Sequence, residues 1–324
     1  MQAARVEGSF YAPVQAELAE LQRRLVEVGA GAHPTFRAAV RHLFTSSGKL
    51  LRPTLVFLSS RFGSGARDRE IVLNLAQSLE LVHTASLVHD DIVDRAEVRR
   101  NVPTINATWN DDVALIVGDY LFAKAYALAA VLPKPEVIAM VAQTVFALCD
   151  GELGEVTAPA ALPTESAYFE RIELKTASLY AACCQGAALL ADADPEHVAL
   201  LGAYGTDLGL AFQITDDVLD LVGDEEDFGK SVGRDLAEGM ATLPMIYAAN
   251  GDPSLAARVV APGKDPAEVR ELLRIIRSSD GVSRARERAL GFHDRAVRAL
   301  DGLPALPERD ALRDVADFVV SRVR

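Results

Sequence analysis

The sequence contains few cysteines, few aromatic residues and no long uninterrupted apolar run. Three cysteines in 324 residues cannot form a disulfide framework, and the adjacent pair Cys183 and Cys184 lies in an alanine-rich stretch typical of a reduced core. No Cys-x-x-Cys or Cys/His spacing predicts a zinc site. The longest clean apolar run is about eight residues, near 125–132, whereas a membrane-spanning helix needs roughly 20. We therefore expect a soluble, cytoplasmic protein with no stable membrane insertion.

Positive charge is scarce as well. The chain has 33 Lys and Arg against 46 Asp and Glu, which gives a formal net charge of −13 at pH 7. Binding to a nucleic-acid backbone needs clustered basic side chains that neutralise phosphates. The composition therefore excludes nucleic acid as the expected partner.

Helical periodicity runs through nearly the whole sequence. Leu18, Leu21, Leu25 and Val28 are spaced i, i+3, i+7 and i+10, which places them on one face of a helix. Extended helical stretches are predicted at 68–94, 119–132, 135–150, 166–190 and 196–222. Alternating β-branched runs are scarce, and no stretch predicts a convincing strand. Because no polar linker separates the helices, we predict one all-α domain over residues 1–324.

Two copies of an Asp-Asp-x-x-Asp motif stand out. The first is Asp90, Asp91 and Asp94, and the second begins with Asp216 and Asp217. Residues four apart on a helix lie on one face about 6 Å apart, so like charges at this spacing need cations nearby. Carboxylate oxygens suit Mg²⁺, whose coordination is usually completed by water and substrate phosphates.

A solvated acidic helix end is the alternative interpretation of each copy. A single short motif favours that alternative. The apolar residues that precede each copy, among them Val88 and Phe212, favour a site instead, because carboxylates in apolar surroundings need partners.

A polyphosphate ligand would also need basic partners, and the sequence supplies several. The candidates are Lys49, Arg52, Arg99, Arg100, Lys175 and Lys230. Arg suits bidentate phosphate contacts, and Lys suits single-point contacts. Each basic residue alone is more often a solvated surface side chain, so only their combination indicates a diphosphate site.

The ordered set of motifs resembles the trans-isoprenyl diphosphate synthase, or polyprenyl synthetase, family from about residue 40 to the end. The motifs are GKLLRP (48–53), HTASLVHDDIVD (83–94), RRNVPTIN (99–106), VGD (117–119), GELGE (151–155), KTA (175–177), FQITDDVLD (212–220), GKSVGRDL (229–236) and TLP (242–244). The resemblance implies a helical bundle of the isoprenoid-synthase type with a central cavity, usually as a homodimer. It also implies an enzyme that condenses isopentenyl diphosphate with an allylic diphosphate.

The resemblance further implies roles for individual residues. Three Mg²⁺ ions, with Mn²⁺ as a possible substitute, would be held by Asp90, Asp91, Asp94, Asp216, Asp217 and Asp220, with Asp91, Asp217 and Asp220 in supporting positions. The allylic diphosphate would be held by Arg99, Lys175 and Lys230, and isopentenyl diphosphate by Lys49, Arg52, His83 and Arg100. Thr176 and Gln213 would present oxygen dipoles to the developing cation. Without the resemblance, His83 would be interpreted as a core histidine.

Product length is predicted from the residues that precede the first motif. Relatives that stop at C15 or C20 typically carry a bulky aromatic residue four or five positions before the first aspartate, whereas this chain has Ala85 and Ser86. Small side chains would leave the tunnel open, so we predict a long-chain product of about C30 to C50. The alternatives are that both residues merely pack between helices, or that the enzyme makes farnesyl or geranylgeranyl diphosphate.

Three departures from the family pattern concern residues near the predicted site. Asn101 replaces a common Gly after the arginine pair, Glu155 stands where Gln or Asp is usual, and Met240 stands where many relatives have Lys. The ending Arg322-x-Arg324 could fold over the site, but a frayed helix end is the favoured interpretation. A terpene cyclase and a non-catalytic subunit of a heteromeric synthase are further alternatives. Both disagree with the retained aspartates and basic residues.

Overall fold

The fold is almost entirely helical, which confirms the predicted all-α class. A computed structural model of the chain describes residues 9–45, 48–64, 68–99, 101–223 and 232–322. Two predicted site residues, Arg100 and Lys230, lie outside the described residues.

Sixteen α-helices occur within the described ranges. They are α1 (Gln15–Glu27), α2 (Pro34–Thr45), α3 (Leu51–Ser59), α4 (Arg69–Val93), α5 (Ile105–Thr108), α6 (Asp111–Ala129), α7 (Pro135–Val156), α8 (Glu165–Ile172), α9 (Ser178–Leu190), α10 (Pro195–Val222), α11 (Arg234–Glu238), α12 (Leu243–Ala249), α13 (Pro253–Val260), α14 (Pro266–Ser278), α15 (Gly281–Leu300) and α16 (Pro307–Ser321). Short 3₁₀ turns occupy Ser9–Val14 and Ser60–Phe62, and a π-helical segment occupies Glu173–Ala177. The helix starts follow the sequence, since proline opens six of the sixteen.

The chain divides into two compact units. The first unit comprises Met1–Phe146, Leu179–Gly205 and Ala299–Asp314. The second comprises Ala147–Ser178, Thr206–Arg298 and Val315–Arg324. The single domain over residues 1–324 stays a prediction.

Helix α4 carries the first aspartate motif and belongs to the first unit. The Asp68 side chain accepts a hydrogen bond from the Glu70 backbone N–H and caps the helix, which then continues for 25 residues without Gly or Pro. It packs against α6, where the Ser78 hydroxyl donates to the Ala125 carbonyl at 2.8 Å. This close approach requires the glycine of the VGD motif, because a Cβ on Gly118 would lie 2.1 Å from Nε2 of His89.

A small β-hairpin follows α4, although no stretch of the sequence predicts a convincing strand. Strand β1 (Val98–Arg99) pairs antiparallel with β2 (Val102–Pro103). Two-residue strands are too short to leave a periodic signal in the sequence. Asn101 precedes β2 with φ +62°, a left-handed conformation that Gly adopts freely and that Asn tolerates better than most residues. The substitution of Asn for the family's usual Gly is therefore compatible with this backbone.

A π-helical segment interrupts a stretch that the sequence predicts as one helix, 166–190. Helix α8 runs into the π-helical segment before α9 begins, and that segment carries Lys175 and Thr176. Single π-helical turns are found frequently at functional sites. A Cβ on Gly151 would lie 2.9 Å from the Lys175 backbone nitrogen, so the glycine of GELGE allows α7 to approach this segment.

Among the described residues, two helices are long and apolar enough to span a membrane by length and composition alone. They are Arg69–Val93, whose most apolar window is 61% buried, and Pro135–Val156, whose window is 28% buried. Both helices contain a few interspersed polar residues, so neither forms the long uninterrupted apolar run on which the sequence prediction depends.

Candidate active site

The first aspartate motif lies at the carboxyl end of α4. Asp90 and Asp94 are half-buried and one helical turn apart, and the Asp94 backbone N–H donates to the Asp90 carbonyl at 2.8 Å. The carboxyl end of a helix carries partial negative charge, which disfavours carboxylates there. A cation bound at this helix end would offset the repulsion between the two carboxylates.

Asp91 has a different environment from its neighbours. Its side chain is buried and accepts a hydrogen bond at 2.7 Å from Nε of Arg99 on β1. Its backbone carbonyl accepts from the Asn106 amide at 3.3 Å, which links α5 to the end of α4. The ion pair holds Arg99 beside Asp91, and the supporting role of Asp91 stays a prediction.

Two residues predicted to hold isopentenyl diphosphate lie together in the first unit. Nη1 of Arg52, in the first turn of α3, lies 3.0 Å from Nε2 of His83 on α4. Arg can only donate, so Nε2 of His83 is the acceptor and the neutral ring carries its proton on Nδ1. The Arg52 guanidinium also lies over the Tyr180 ring, 4.7 Å from its centre. Arg52 is thus oriented on two sides.

A cavity of about 520 Å³ opens beside these groups within the first unit. Its wall on α4 includes His83 and Asp91, and the hairpin contributes Arg99. Its other lining residues come from α1, the end of α2, the loop before α3, β2 and the start of α5. Basic side chains and a carboxylate of the first motif therefore share one cavity.

Six described residues of the predicted site in the first unit do not line this cavity: Lys49, Arg52, Ala85, Ser86, Asp90 and Asp94. Lys49 is exposed in the loop before α3, where its carbonyl accepts a hydrogen bond from Tyr11 at 2.6 Å. Ala85 is fully buried, and Ser86 is half-buried with its hydroxyl donating to the His83 carbonyl at 2.9 Å. The roles of Ala85 and Ser86 in setting chain length stay predictions.

Lys175 is held by two carboxylates in the second unit. Its ammonium group lies 2.7 Å from Oε2 of Glu152 and 2.7 Å from Oε1 of Glu155 on α7. Burial alone would lower the pKa of Lys175, but the charge of Glu155 and hydrogen bonds to both carboxylates outweigh it, so the pKa is raised. Lys175 therefore stays positively charged, and Glu155, the departure from the family pattern, is one of its direct partners.

A hydrogen-bonded chain links Thr176 to the second aspartate motif. The Thr176 hydroxyl lies 2.7 Å from Oε1 of Gln213, and Nε2 of Gln213 donates to Oδ1 of Asp217 at 2.8 Å. The Tyr168 hydroxyl donates to Oδ2 of the same carboxylate at 2.5 Å. Burial raises the pKa of Asp217 to about 6, although the hydrogen bonds from Tyr168 and Gln213 act to lower it.

The other two aspartates of the second motif have hydrogen-bond partners different from those of Asp217. Asp220 accepts from the backbone N–H groups of Arg234 and Asp235, at 3.2 and 3.3 Å, and so binds the start of α11. Asp216 accepts a hydrogen bond at 2.8 Å from Nη1 of Arg322, the residue after α16. The favoured interpretation of a frayed carboxyl end therefore does not describe Arg322.

Replacing Arg322 with alanine is expected to strengthen Mg²⁺ binding about threefold, because a partly exposed ion pair contributes about 0.2–1 kcal/mol and competes with a cation for Asp216. Titration calorimetry with Mg²⁺ on the purified protein measures the change. The matched control is Arg313→Ala on α16, which removes a surface ion pair to Asp301. Unchanged or weaker Mg²⁺ binding by Arg322→Ala would contradict the expectation.

The donor set fits a hard cation. Among the described residues, no three His, Cys, Asp or Glu side chains already converge as a metal cage. Mg²⁺ does not need one, since it is commonly bound by one or two carboxylates and completed by water and phosphate oxygens. Asp90 and Asp94 at a helix end, and Asp216 beside a guanidinium, supply carboxylates of that kind.

Sequence reasoning missed Tyr168, Glu152 and Glu155 as direct partners of predicted site residues. Tyr168 lies seven residues before Lys175, a spacing of two helical turns, which was the only local signal. Glu152 and Glu155 were visible within the GELGE motif. Their contact with Lys175 depends on the approach of two separate helices, which the sequence does not specify.

Known proteins similar to this chain agree with its motifs. The polyprenyl synthetase sequence family matches residues 33–276. The chain is 37% identical over 316 residues to heptaprenyl diphosphate synthase component 2 of Geobacillus stearothermophilus, covering 97% of this chain and 98% of the relative. These similarities confirm the predicted prenyltransferase class.

Solved structures give the same assignment. A decaprenyl diphosphate synthase from Rhodobacter capsulatus superposes with a TM-score of 0.90 at 32% identity, covering 97% of this chain and 98% of that one. A polyprenyl synthase from Caulobacter crescentus CB15, complexed with calcium and isoprenyl diphosphate, has a TM-score of 0.90 at 31% identity with the same coverages. The heptaprenyl and decaprenyl relatives favour the predicted long-chain class over the short-chain alternative. The chain therefore belongs to the polyprenyl synthetase family.

Proposed function

We propose that this chain repeatedly condenses isopentenyl diphosphate with an allylic diphosphate to make an all-trans polyprenyl diphosphate of about C30 to C50. The observation that carries the proposal is the cavity of about 520 Å³ in the first unit, lined by His83, Asp91 and Arg99. It brings Asp91 of the first motif together with basic side chains, which a bound diphosphate needs.

Mg²⁺ is the proposed metal, with three ions as in the family that the sequence resembles. Asp90 and Asp94, supported by Asp91, would hold two ions, and Asp216 would hold the third. Bound Mg²⁺ neutralises the charge that develops on a departing diphosphate. Mn²⁺ is the proposed substitute.

The basic residues bind and orient the two substrates. Lys175, which Glu152 and Glu155 hold in its charged form, would contact the allylic diphosphate together with Arg99. Arg52 and His83, 3.0 Å apart, would hold isopentenyl diphosphate together with Lys49. Separate binding of the two diphosphates keeps the double bond of one substrate near the reacting carbon of the other.

The remaining steps need oxygen dipoles, a dry surrounding and a base. Thr176 and Gln213 would turn oxygen atoms towards the allylic cation that forms when the carbon–oxygen bond breaks. Water must be excluded because it would capture this cation. The double bond of isopentenyl diphosphate attacks the cation, and the released diphosphate accepts the proton that is then lost. The product is again an allylic diphosphate, so the cycle repeats.

A homodimer in the cytoplasm is the proposed state of the protein. Helix α6 presents an exposed apolar face that includes Leu115 and Ile116, which are 51% and 64% exposed, and Tyr126, which is 39% exposed. Such patches mark interaction surfaces. The alternative is a two-component synthase, because the Geobacillus relative is named as one component of an enzyme.

The test incubates the purified chain alone with Mg²⁺, radiolabelled isopentenyl diphosphate and each allylic primer from C5 to C20. Thin-layer chromatography of the dephosphorylated products then gives their chain length. A ladder of long-chain products supports the proposal, and products of C15 or C20 support the short-chain alternative. Folded protein that incorporates no label with any primer overturns it. Light scattering on the same sample distinguishes a dimer from a single chain.

A further inference from the structure

In the hydrogen-bond network around Asp217, the donor and acceptor groups of the side chains fix which partner donates in each bond. Both oxygens of this buried carboxylate are occupied, Oδ1 by Gln213 and Oδ2 by Tyr168. An ionised carboxylate only accepts, so the Gln213 amide nitrogen must face it. The Gln213 carbonyl oxygen then faces Thr176, and an oxygen acceptor there requires the Thr176 hydroxyl to donate.

The direction decides what Thr176 presents to its surroundings. A hydroxyl has one proton and two lone pairs, and the proton of Thr176 is committed to Gln213. The hydroxyl oxygen can therefore offer only lone pairs to any other group, which suits a positive charge. If Gln213 turned its amide by 180°, its nitrogen would donate to Thr176 and the threonine proton would be free to point at that charge.

We propose that Tyr168 is a positioning residue for prenyl transfer, which holds Asp217 and Gln213 so that the Thr176 oxygen presents lone pairs to the allylic cation. The inference rests on the proposed function. Tyr168 is fully buried on α8, and it would act through its hydrogen bond to Asp217 rather than by contact with substrate. Its hydroxyl satisfies one oxygen of a buried carboxylate, and without it Asp217 loses the partner that opposes rotation of its side chain.

A purely structural role for the Tyr168 hydroxyl is the competing explanation, and Tyr204 provides a matched control. Tyr204 is also fully buried, and its hydroxyl donates to the Leu312 carbonyl at 2.7 Å. It lies on α10, nine residues before Gln213, and belongs to no part of the predicted site. Tyr→Phe at either position removes one buried hydroxyl and keeps the ring.

The experiment compares single-turnover rates of the first condensation for wild type, Tyr168→Phe and Tyr204→Phe, with melting temperature and KM values for both diphosphates. We expect Tyr168→Phe to lower the rate about tenfold with each KM within about twofold, since the loss concerns the transition state. Tyr204→Phe is expected to lower the melting temperature similarly and leave the rate unchanged. Equal rates for the two variants would overturn the proposal.

A double-mutant cycle tests whether Tyr168 acts through Thr176. In a Thr176→Val background, Tyr168→Phe is expected to change the rate less than about twofold, because the oxygen that it orients is gone. If the two substitutions lower the condensation rate by factors that multiply fully, Tyr168 does not act through Thr176 and the proposal is overturned. If Tyr168→Phe does not fold, Thr176→Val alone tests the proposal. A condensation rate of Thr176→Val within about twofold of wild type would show that the Thr176 oxygen does not act on the cation, and would overturn the proposal. An inactive wild-type protein would overturn the proposed function itself. The rates of the variants relative to wild type test only the positioning role of Tyr168.

Discussion

Replacing Asp90 with asparagine is expected to lower the condensation rate about a thousandfold, comparable with the loss of a principal electrostatic contact to a transition state. Asparagine keeps the size and the helix of the native residue but removes the negative charge that would hold a cation. Asp90 and its neighbour Asp94 lie at the negative end of α4, so the remaining carboxylate alone binds Mg²⁺ weakly. Initial rates at saturating substrates and several Mg²⁺ concentrations measure the effect.

The control for Asp90→Asn is the same substitution at Asp194, whose side chain is 82% exposed in the loop before α10. It should leave the rate unchanged, and both variants should melt close to the wild-type temperature. A folded Asp90→Asn protein with more than about one-tenth of the wild-type rate at high Mg²⁺ would contradict the placement of the metal site.

Replacing Ala85 with phenylalanine is expected to shorten the main product from about C30–C50 to about C15–C20, since a bulky side chain would block the tail of the growing product. Ala85 lies five residues before Asp90, which is about 7.5 Å along the helix axis. In the family that the sequence resembles, the tail extends back along this helix from the diphosphate site. Chain-length analysis of radiolabelled products gives the result directly.

Overpacking is the complication for Ala85→Phe, because Ala85 is fully buried and an added ring costs about 1–3 kcal/mol of folding free energy. Ala39→Phe on α2 is the matched control, since Ala39 is also fully buried. Both variants should melt at a lower temperature, but only Ala85→Phe should shorten the product. A folded Ala85→Phe enzyme with the wild-type product distribution would show that the tail does not pass this residue.

Local sequence patterns account for the helices that carry the site. The stretch predicted at 68–94 corresponds to α4, Arg69–Val93, because a capping Asp68 and an uninterrupted run without Gly or Pro are sufficient to define it. The prediction of one continuous helix over 166–190 was wrong in part. Its π-helical turn at Glu173–Ala177 occurs where α7 approaches through Gly151, and such a turn has no distinctive residue composition.

The sequence alone determined the all-α class, the two aspartate motifs and the basic residues that accompany them, because these depend on periodicity, charge and motif order. Only the tertiary structure decided what each aspartate does. Asp91 pairs with Arg99, Asp217 accepts from Tyr168, and Asp220 caps α11, although the letters of the two motifs are the same. These partners come from other elements, 8, 49 and 14 residues away along the chain. Burial and hydrogen bonding act through space, so identical motifs acquire different chemistry once the helices have packed.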